Sequence, residues 1–109
     1  MAAPRMTLQT QRVLAAMLEN PLGQHYGLEL SRRLVLPTGS IYPILARLER
    51  AGWVSSRWEE IDPVATGRRP RRYYHLTGTG AEQARRELDQ TVRSITPRWG
   101  VAGSGEVPV

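Results

Sequence analysis

Four arginines stand within five consecutive positions of this chain: Arg68, Arg69, Arg71 and Arg72. A guanidinium group is planar, permanently charged and able to donate paired hydrogen bonds to phosphate or to guanine. The cluster could therefore neutralise phosphates along a nucleic-acid backbone, and one guanidinium could enter a narrow, AT-rich minor groove. A solubilising loop is the alternative, and the nearby carboxylates of Glu59, Glu60 and Asp62 could pair with some of the arginines. We favour contact with phosphates.

A second set of side chains suited to DNA contact lies in segment 38–52, which reads TGSIYPILARLERAG. At about 100° per residue, its apolar residues fall on one arc: Ile41, Ile44, Leu45, Leu48 and Ala51. The other arc carries aromatic, small and cationic residues: Tyr42, Pro43, Ala46, Arg47 and Arg50. The pattern predicts a helix with one face in the core and one turned outward, where these polar groups could reach phosphates or base edges. Arg47 could instead be a solvated surface charge beside Glu49.

The start of this helix depends on Pro43, which has no amide hydrogen to donate. We prefer Ser40 as the N-cap, because Pro43 then falls in the first turn, where its missing donor would be unpaired anyway. The Ser40 hydroxyl could contact DNA, or it could serve as a helix cap alone. Thr38 as N-cap would place Pro43 deeper and predicts a distorted first turn. Gly52 is expected to end the helix in the left-handed conformation.

The size and charge of the chain favour a small domain with an anionic partner. The sequence has 109 residues, a formal net charge of +5 and a pI of about 10.7. Nucleic acid is the first choice of partner and a membrane surface the second. All 15 basic residues are arginine, which suits bidentate contacts; the codon bias of a GC-rich genome gives the same composition, and we prefer that explanation. We expect one domain, which a partner chain would help to stabilise because so short a chain buries a modest core.

Several classes of protein are excluded or disfavoured. The sequence has no cysteine, which excludes disulfide frameworks, thiolate nucleophiles and cysteine metal sites. No apolar run approaches the roughly 18 residues of a bilayer span, and the N-terminus lacks a signal-peptide core, so we expect a soluble cytoplasmic protein. His25 and His75 are expected to be structural, and no metal is predicted. No phosphate loop, Ser-His-Asp arrangement or carboxylate pair indicates an enzyme or a cofactor.

Three further segments show helical periodicity. The first runs from Thr7, as N-cap, to Asn20 and has an apolar stripe of four residues: Val13, Leu14, Met17 and Leu18. The second covers about 26–34. The third runs from about Gly80 to Ile95, is capped by Thr77 or Thr79, and carries a seam of apolar residues: Ala81, Ala84, Leu88, Val92 and Ile95.

Two segments between the third and the last helix are rich in strand formers, 53–58 and 71–76. The polar loop over 59–70 joins them, so we expect an antiparallel hairpin with an extended tip. The order of three helices, two strands and one helix describes a mainly α winged helix-turn-helix fold. In that fold the third helix enters the major groove and the hairpin touches the flanking backbone.

The aromatic residues are interpreted as packing groups rather than as ligand platforms. Trp53 and Trp58 flank a strand and are expected in the core or against the hairpin, with Trp53 in the core. Tyr73 and Tyr74 alternate along a strand, so one should be buried and the other exposed. Trp99 is expected in a loosely packed tail.

Three separated motifs resemble the PadR-like family of transcriptional regulators. The first is the recognition-helix signature: Gly39, Ser40, Ile41, Tyr42 and Pro43, with Leu45, Arg47, Leu48, Glu49 and Gly52. The second is the pair Tyr26 and Gly27. The third resembles the family's wing and the strand that leaves it: Gly67, Arg68, Arg69, Tyr73, Tyr74, Leu76, Thr77 and Gly80. Together the motifs cover most of residues 7–95.

The resemblance implies a homodimeric winged-helix repressor that in some members is released by small aromatic ligands. DNA contact is then expected from eleven residues: Tyr26, Thr38, Ser40, Tyr42, Pro43, Arg47, Arg50, Arg68, Arg69, Arg71 and Arg72. The last helix, aided by the first, implies a dimer interface at Leu14, Leu88, Val92 and Ile95. The chain departs from the family pattern at Pro97, which ends the last helix early and weakens the case for a strong dimer or for a ligand cavity built on that helix.

These inferences divide the chain into an N-terminal tail (1–6), a winged-helix domain (7–77), a C-terminal dimerisation helix (78–96) and a flexible tail (97–109). A homodimer that binds double-stranded DNA is the preferred function. Two rivals stay open: a winged helix that docks a protein partner, and a sensor whose main feature is a hydrophobic dimer cavity for an aromatic effector.

Overall fold

The computed structural model describes residues 3–95. Seven elements follow one another along the chain: α1 (Leu8–Leu18), α2 (Gly27–Leu34), α3 (Thr38–Arg50), β1 (Val54–Trp58), α4 (Pro63–Thr66), β2 (Arg72–Leu76) and α5 (Gly78–Ile95). The predicted order of three helices, a hairpin and a closing helix is confirmed, and α4 adds one helical turn within the predicted loop. The expectations for residues 97–109, including Trp99, fall outside the described residues.

Helix α1 begins as its sequence predicts. The Thr7 hydroxyl accepts the amide of Thr10 at 3.1 Å and so caps the helix. The apolar stripe of α1 faces inward, and Val13, Leu14 and Met17 have no exposed surface. Leu14 therefore cannot contact a partner chain, and its predicted place at a dimer interface is wrong. The reason is that its side chain points into the core of its own chain and has no exposed surface to offer.

The predicted start of α3 is wrong. The helix begins at Thr38, with Pro37 as its N-cap, so Ser40 lies inside the helix. The amides of Ser40 and Ile41 both donate to the Pro37 carbonyl, at 2.8 and 3.1 Å, and this shared acceptor starts the helix without a capping side chain. Pro43 consequently removes the amide that would have bonded the Gly39 carbonyl. Since Gly39 is exposed, water can satisfy that carbonyl.

The end of α3 matches its prediction. Gly52 has φ +79°, the left-handed conformation. The amide of Trp53 donates to Leu48 at 2.9 Å and the amide of Gly52 to Glu49 at 3.0 Å, which together form a Schellman motif. This turn sends the chain back over the core, where Trp53 is 5% exposed, as predicted.

Strands β1 and β2 form an antiparallel pair in which Val54 faces Leu76 and Trp58 faces Arg72. Tyr74 is buried, as the alternation predicts for one of the two tyrosines, whereas Tyr73 is half-buried rather than exposed. The expectation that Trp58 packs in the core or hairpin is wrong: the residue is 63% exposed, because it stands at the end of the strand farthest from the core.

Helix α5 is capped by Thr77, whose hydroxyl accepts the amide of Gly80 at 2.9 Å. The same hydroxyl donates to the Gly52 carbonyl at 2.7 Å, so the start of α5 is joined to the end of α3. Helix α5 packs on α1 and buries Ala84. No helix within residues 3–95 combines the length and apolarity needed to cross a bilayer.

Candidate nucleic-acid interface

Helices α2 and α3 are joined by the short turn Val35–Leu36–Pro37. Ser31 donates its hydroxyl to the Leu36 carbonyl, and the amide of Leu36 donates to the Ser31 carbonyl at 3.0 Å. Arg12 of α1 donates to the Leu34 carbonyl at 2.6 Å. Val35 has φ +54°, a left-handed conformation that a β-branched residue rarely adopts. The turn is thus held by polar contacts on both sides.

The N-terminal part of α3 presents the face on which DNA contact was predicted. Thr38 and Pro43 are exposed, Tyr42 is 44% exposed and Ser40 is half-buried. In a helix-turn-helix, residues at the start of the second helix reach base edges. Within residues 3–95, Ser40 makes no capping contact, which leaves its hydroxyl available to a partner.

The cationic residues of α3 lie at its other end. Arg50 is exposed and Arg47 half-buried, both in the last turn. Neither borders the cleft described next. The two predicted arginines are therefore separated along the helix from Thr38 and Tyr42.

An open cleft of about 480 Å³ lies between α2, α3 and the hairpin. Aromatic and apolar side chains form its walls, and three arginines stand around it. Its lining residues come from all three elements: Tyr26, Gly27, Leu28, Glu29, Arg32, Tyr42, Trp58, Arg71, Arg72 and Tyr74. The outward face of α3 and the part of the hairpin formed by Trp58, Arg71 and Arg72 thus border one surface.

Glu59 organises the cationic tip of the hairpin. One of its carboxylate oxygens accepts Nη1 of Arg68 at 2.6 Å, and the other accepts Nη2 at 3.2 Å. The amide of Arg71 donates to the carboxylate at 2.8 Å, and the Tyr26 hydroxyl donates to it at 2.9 Å. The Arg71 guanidinium lies 4.3 Å above the Tyr26 ring. This Glu59 cluster ties the wing to the residue that precedes α2.

A second carboxylate, Glu49 of α3, holds Arg72. The guanidinium of Arg72 lies 3.1 Å from one Glu49 oxygen, and the Ser56 hydroxyl donates to the other at 2.6 Å. Arg72 also donates to Ser56 at 2.7 Å. The hairpin is therefore fixed, near the loop end of its strands, to the C-terminal half of α3.

These contacts change the acidity of the groups in the Glu59 cluster. Hydrogen bonds from Arg68 lower the pKa of Glu59 far below its ordinary value, and the Arg71 amide and the Tyr26 hydroxyl add to the effect. The hydrogen bond to Glu59 raises the pKa of Arg68. Burial raises the pKa of Tyr26, as does its hydrogen bond to Glu59. Glu59 is consequently charged, and Tyr26 is a protonated donor, at neutral pH.

The ion pairs leave the four wing arginines unequal. Arg68 and Arg71 pair with Glu59, and Arg72 pairs with Glu49. Within residues 3–95, Arg69 is the wing arginine with no ion pair. The expectation that nearby carboxylates pair with some arginines is confirmed for Glu59, whereas Asp62 instead caps α4 by accepting the amide of Val64.

The site contains residues that the sequence did not single out: Leu28, Arg32, Glu49, Ser56 and Trp58. Glu49 was noted as a neighbour of Arg47 and as part of the recognition-helix signature, but not as a partner of the hairpin, and Trp58 was noted only as a packing residue. No periodic pattern links these positions, which come together only when the hairpin folds back beside α2 and α3. The carboxylates near the arginine cluster were the one available signal.

The histidine contacts and side-chain groups within residues 3–95 give no support for a metal site. His25 is buried, its ring lies 2.9 Å from the Asn20 carbonyl, and its backbone pairs with Tyr74, so its role is structural. No group of three or more His, Asp or Glu side chains in this part of the chain is placed to hold a metal ion.

A helix-turn-helix followed by a two-stranded wing, with α3 facing outward, defines a winged helix-turn-helix protein. The sequence model of the transcriptional regulator PadR-like family matches residues 13–86, and the chain belongs to this family. Its members are transcriptional regulators rather than enzymes. No curated protein matches the chain.

Solved structures share this fold. A PadR-like transcriptional regulator from Bacillus cereus is 25% identical, with a TM-score of 0.64 over 91% of this chain and 94% of its own. The smu.1704 protein from Streptococcus mutans UA159 is 26% identical, with a TM-score of 0.65 over 100% of this chain and 99% of its own. Reduced AbfR bound to DNA is 22% identical, with a TM-score of 0.66 over 91% of this chain and 63% of AbfR.

Proposed function

We propose that this chain binds double-stranded DNA as a homodimer and represses transcription by occupying a palindromic operator. The N-terminal part of α3 would enter the major groove, and the wing arginines would contact the flanking backbone or minor groove. Such a protein would act in the cytoplasm. A small aromatic effector that releases it from DNA stays a prediction of the family resemblance.

One observation carries this proposal: Tyr42 of α3 and the wing residues Arg71 and Arg72 border the same cleft. A surface that joins a helix face to a cationic hairpin matches the shape and charge of a duplex, whose groove and backbone lie side by side. The solved complex of AbfR with DNA, which has the same fold, is consistent with this use of the surface.

The dimer is proposed to form through α5. Val92 is 57% exposed and Leu88 is half-buried, which leaves apolar surface on this helix outside the core of one chain. Ile95, the last residue of α5, stays a predicted member of this interface. In a two-fold dimer, the half-sites of the operator would stand about 34 to 36 Å apart, or a multiple of that distance. The molecular mass in solution tests the dimer directly.

Electrophoretic mobility shift with the DNA upstream of the chain's own gene tests the function. We expect tighter binding to that DNA than to an unrelated duplex of equal length, at two salt concentrations, with affinity falling as salt rises. Binding that ignores sequence at both salt concentrations would overturn the proposal. Failure to bind any duplex at either salt concentration would instead favour a surface that docks a protein.

A further inference from the structure

We propose that Glu59 is a positioning residue that sets how well the wing discriminates its operator from other DNA. The inference rests on the proposed function, and it assigns a task to a carboxylate that would not itself touch DNA. Glu59 holds Arg68 and Arg71 in one orientation relative to α2 and α3, so that these two arginines meet phosphates only when α3 is correctly seated in the groove.

The geometry of the Glu59 cluster supports this role. Its carboxylate receives the guanidinium of Arg68, the amide of Arg71 and the hydroxyl of Tyr26, at 2.6 to 2.9 Å. The side chain of Glu59 is only 11% exposed, whereas those of Arg68 and Arg71 are 42% and 50% exposed. Glu59 thus binds Arg68 and Arg71 from the protein side. Because a guanidinium has five N–H groups, each arginine keeps donors that face solvent.

Tyr26 connects this cluster to the helix-turn-helix. It is the N-cap residue immediately before α2, and its ring packs edge-on against Tyr73 of the hairpin at 6.3 Å between centroids. The Arg71 guanidinium covers the other part of the ring at 4.3 Å. A movement of Arg68 and Arg71 would therefore break contacts that connect them to Tyr26, the residue immediately before α2.

Charge and positioning predict opposite effects for the loss of Glu59. The carboxylate adds negative charge to a cationic surface, so simple electrostatics predicts that its neutralisation strengthens binding to every duplex. If Glu59 instead orients the arginines, its neutralisation frees them to meet phosphates anywhere. Binding to random DNA should then gain, while binding to the operator should lose the contacts that required one orientation.

The decisive experiment compares Glu59→Gln with Glu60→Gln in the full chain. Both changes add one unit of positive charge, and Glu60 is an exposed neighbour with no ion pair within residues 3–95. The probes are the tightest duplex that the unmodified chain selects from a random library and a scrambled duplex of the same composition, measured by fluorescence anisotropy. Thermal melting of each variant checks that the fold is kept.

For Glu59→Gln we expect the ratio of specific to non-specific affinity to fall by about tenfold or more, because hydrogen bonds to a charged group are lost. For Glu60→Gln both affinities should rise together and the ratio should stay constant. Equal shifts in the two variants would overturn the role of Glu59. If the unmodified chain selects no duplex at all, the proposed function itself fails.

A second variant tests the same role if Glu59→Gln lowers the melting temperature too far for binding to be measured. Tyr26→Phe removes only the hydroxyl bonded to Glu59 and keeps the ring under Arg71. We expect it to lower the specificity ratio in the unmodified background and to have no further effect beside Glu59→Gln. The same loss in both backgrounds would mean that Tyr26 acts on DNA directly, and it would overturn the coupling through Glu59.

Discussion

The ring of Tyr42 lies directly against Gly27: a Cβ atom added to Gly27 would stand 2.4 Å from Cε1 and 2.7 Å from Cζ of that ring. Gly27 is the first residue of α2, and Tyr42 lies on the exposed face of α3. The absence of a side chain at position 27 thus lets the tyrosine lie flat between the two helices and border the cleft.

Gly27→Ala should displace the Tyr42 ring and weaken operator binding by about tenfold, roughly the value of one good base or phosphate contact. The ring is the mobile end of an exposed side chain, so thermal stability should change little. Anisotropy and thermal melting measure the two effects. A double variant with Tyr42→Ala should bind no worse than Tyr42→Ala alone, and a further loss would show that Gly27 acts independently of the ring.

Arg69→Ala should weaken binding to all duplexes alike and reduce the magnitude of the salt slope by about 0.9. The reason is that Arg69 has no ion pair within residues 3–95 and can give its charge to a phosphate without breaking a contact. Arg85→Ala on α5 is the matched control, since it removes the same charge from an exposed side chain that also has no ion pair within residues 3–95. A slope that changes equally in both variants would contradict a specific role for the wing.

Glu59 should make the free energy of unfolding depend on pH. Its folded-state pKa is lowered by the hydrogen bonds from Arg68, the Arg71 amide and Tyr26, so its contribution is present above the unfolded value of about 4.3. As pH falls below that value towards the folded pKa, the contribution is lost. Urea unfolding from pH 7 to pH 3 should show the advantage over Glu59→Gln shrinking below about pH 4. A difference that stays constant with pH would contradict this origin.

Val35→Gly should stabilise the chain by about 1 kcal/mol, because the left-handed conformation is costly for a valine and the relief outweighs the entropy lost with glycine. The Val35 side chain is 85% exposed, so little packing is lost. Val64→Gly is the control: its side chain is 90% exposed but lies in α4, where glycine should destabilise. The denaturant midpoints of the two variants test this prediction. A lower midpoint for Val35→Gly would show that the Val35 side chain contributes to stability.

Gly80→Ala should cost about 1 to 3 kcal/mol of stability, the usual range for overpacking a core. A Cβ atom there would lie 1.9 Å from the Trp53 carbonyl oxygen, a backbone atom that cannot rotate away. Gly78→Ala, two positions earlier in α5, meets nothing within 4 Å and should leave stability almost unchanged. Similar melting temperatures for the two variants would contradict the close approach.

Sequence reasoning predicted the elements with strong periodicity or clear caps. Thr7 and Thr77 are both capping residues in the structure, and Gly52 closes α3 as expected. The start of α3 was missed because the Pro37 carbonyl, not a side chain, begins the helix. Helix α4 was missed because four residues show no period.

Tertiary contacts account for the other differences. Leu14 and Val92 both stand on apolar seams, yet Leu14 is fully buried and Val92 is 57% exposed, and only packing separates them. The cleft could not be read from the sequence, since it joins residues near 27, 42, 58 and 72. The pairing of Glu59 with the arginines was foreseeable as a charge match, but its contact with Tyr26 depends on where the hairpin folds.

Thr77 joins the end of the recognition helix to the start of α5 through one hydroxyl, which donates to Gly52 while it caps the next helix. The end of α3 and the start of α5 are therefore in direct hydrogen-bond contact. In a dimer formed through α5, the separation of the two recognition helices would be set by this joint rather than by a flexible linker. Such a dimer would be sensitive to the spacing between half-sites. A base pair inserted at the centre of the operator would then lower the binding affinity, as a wrong base does.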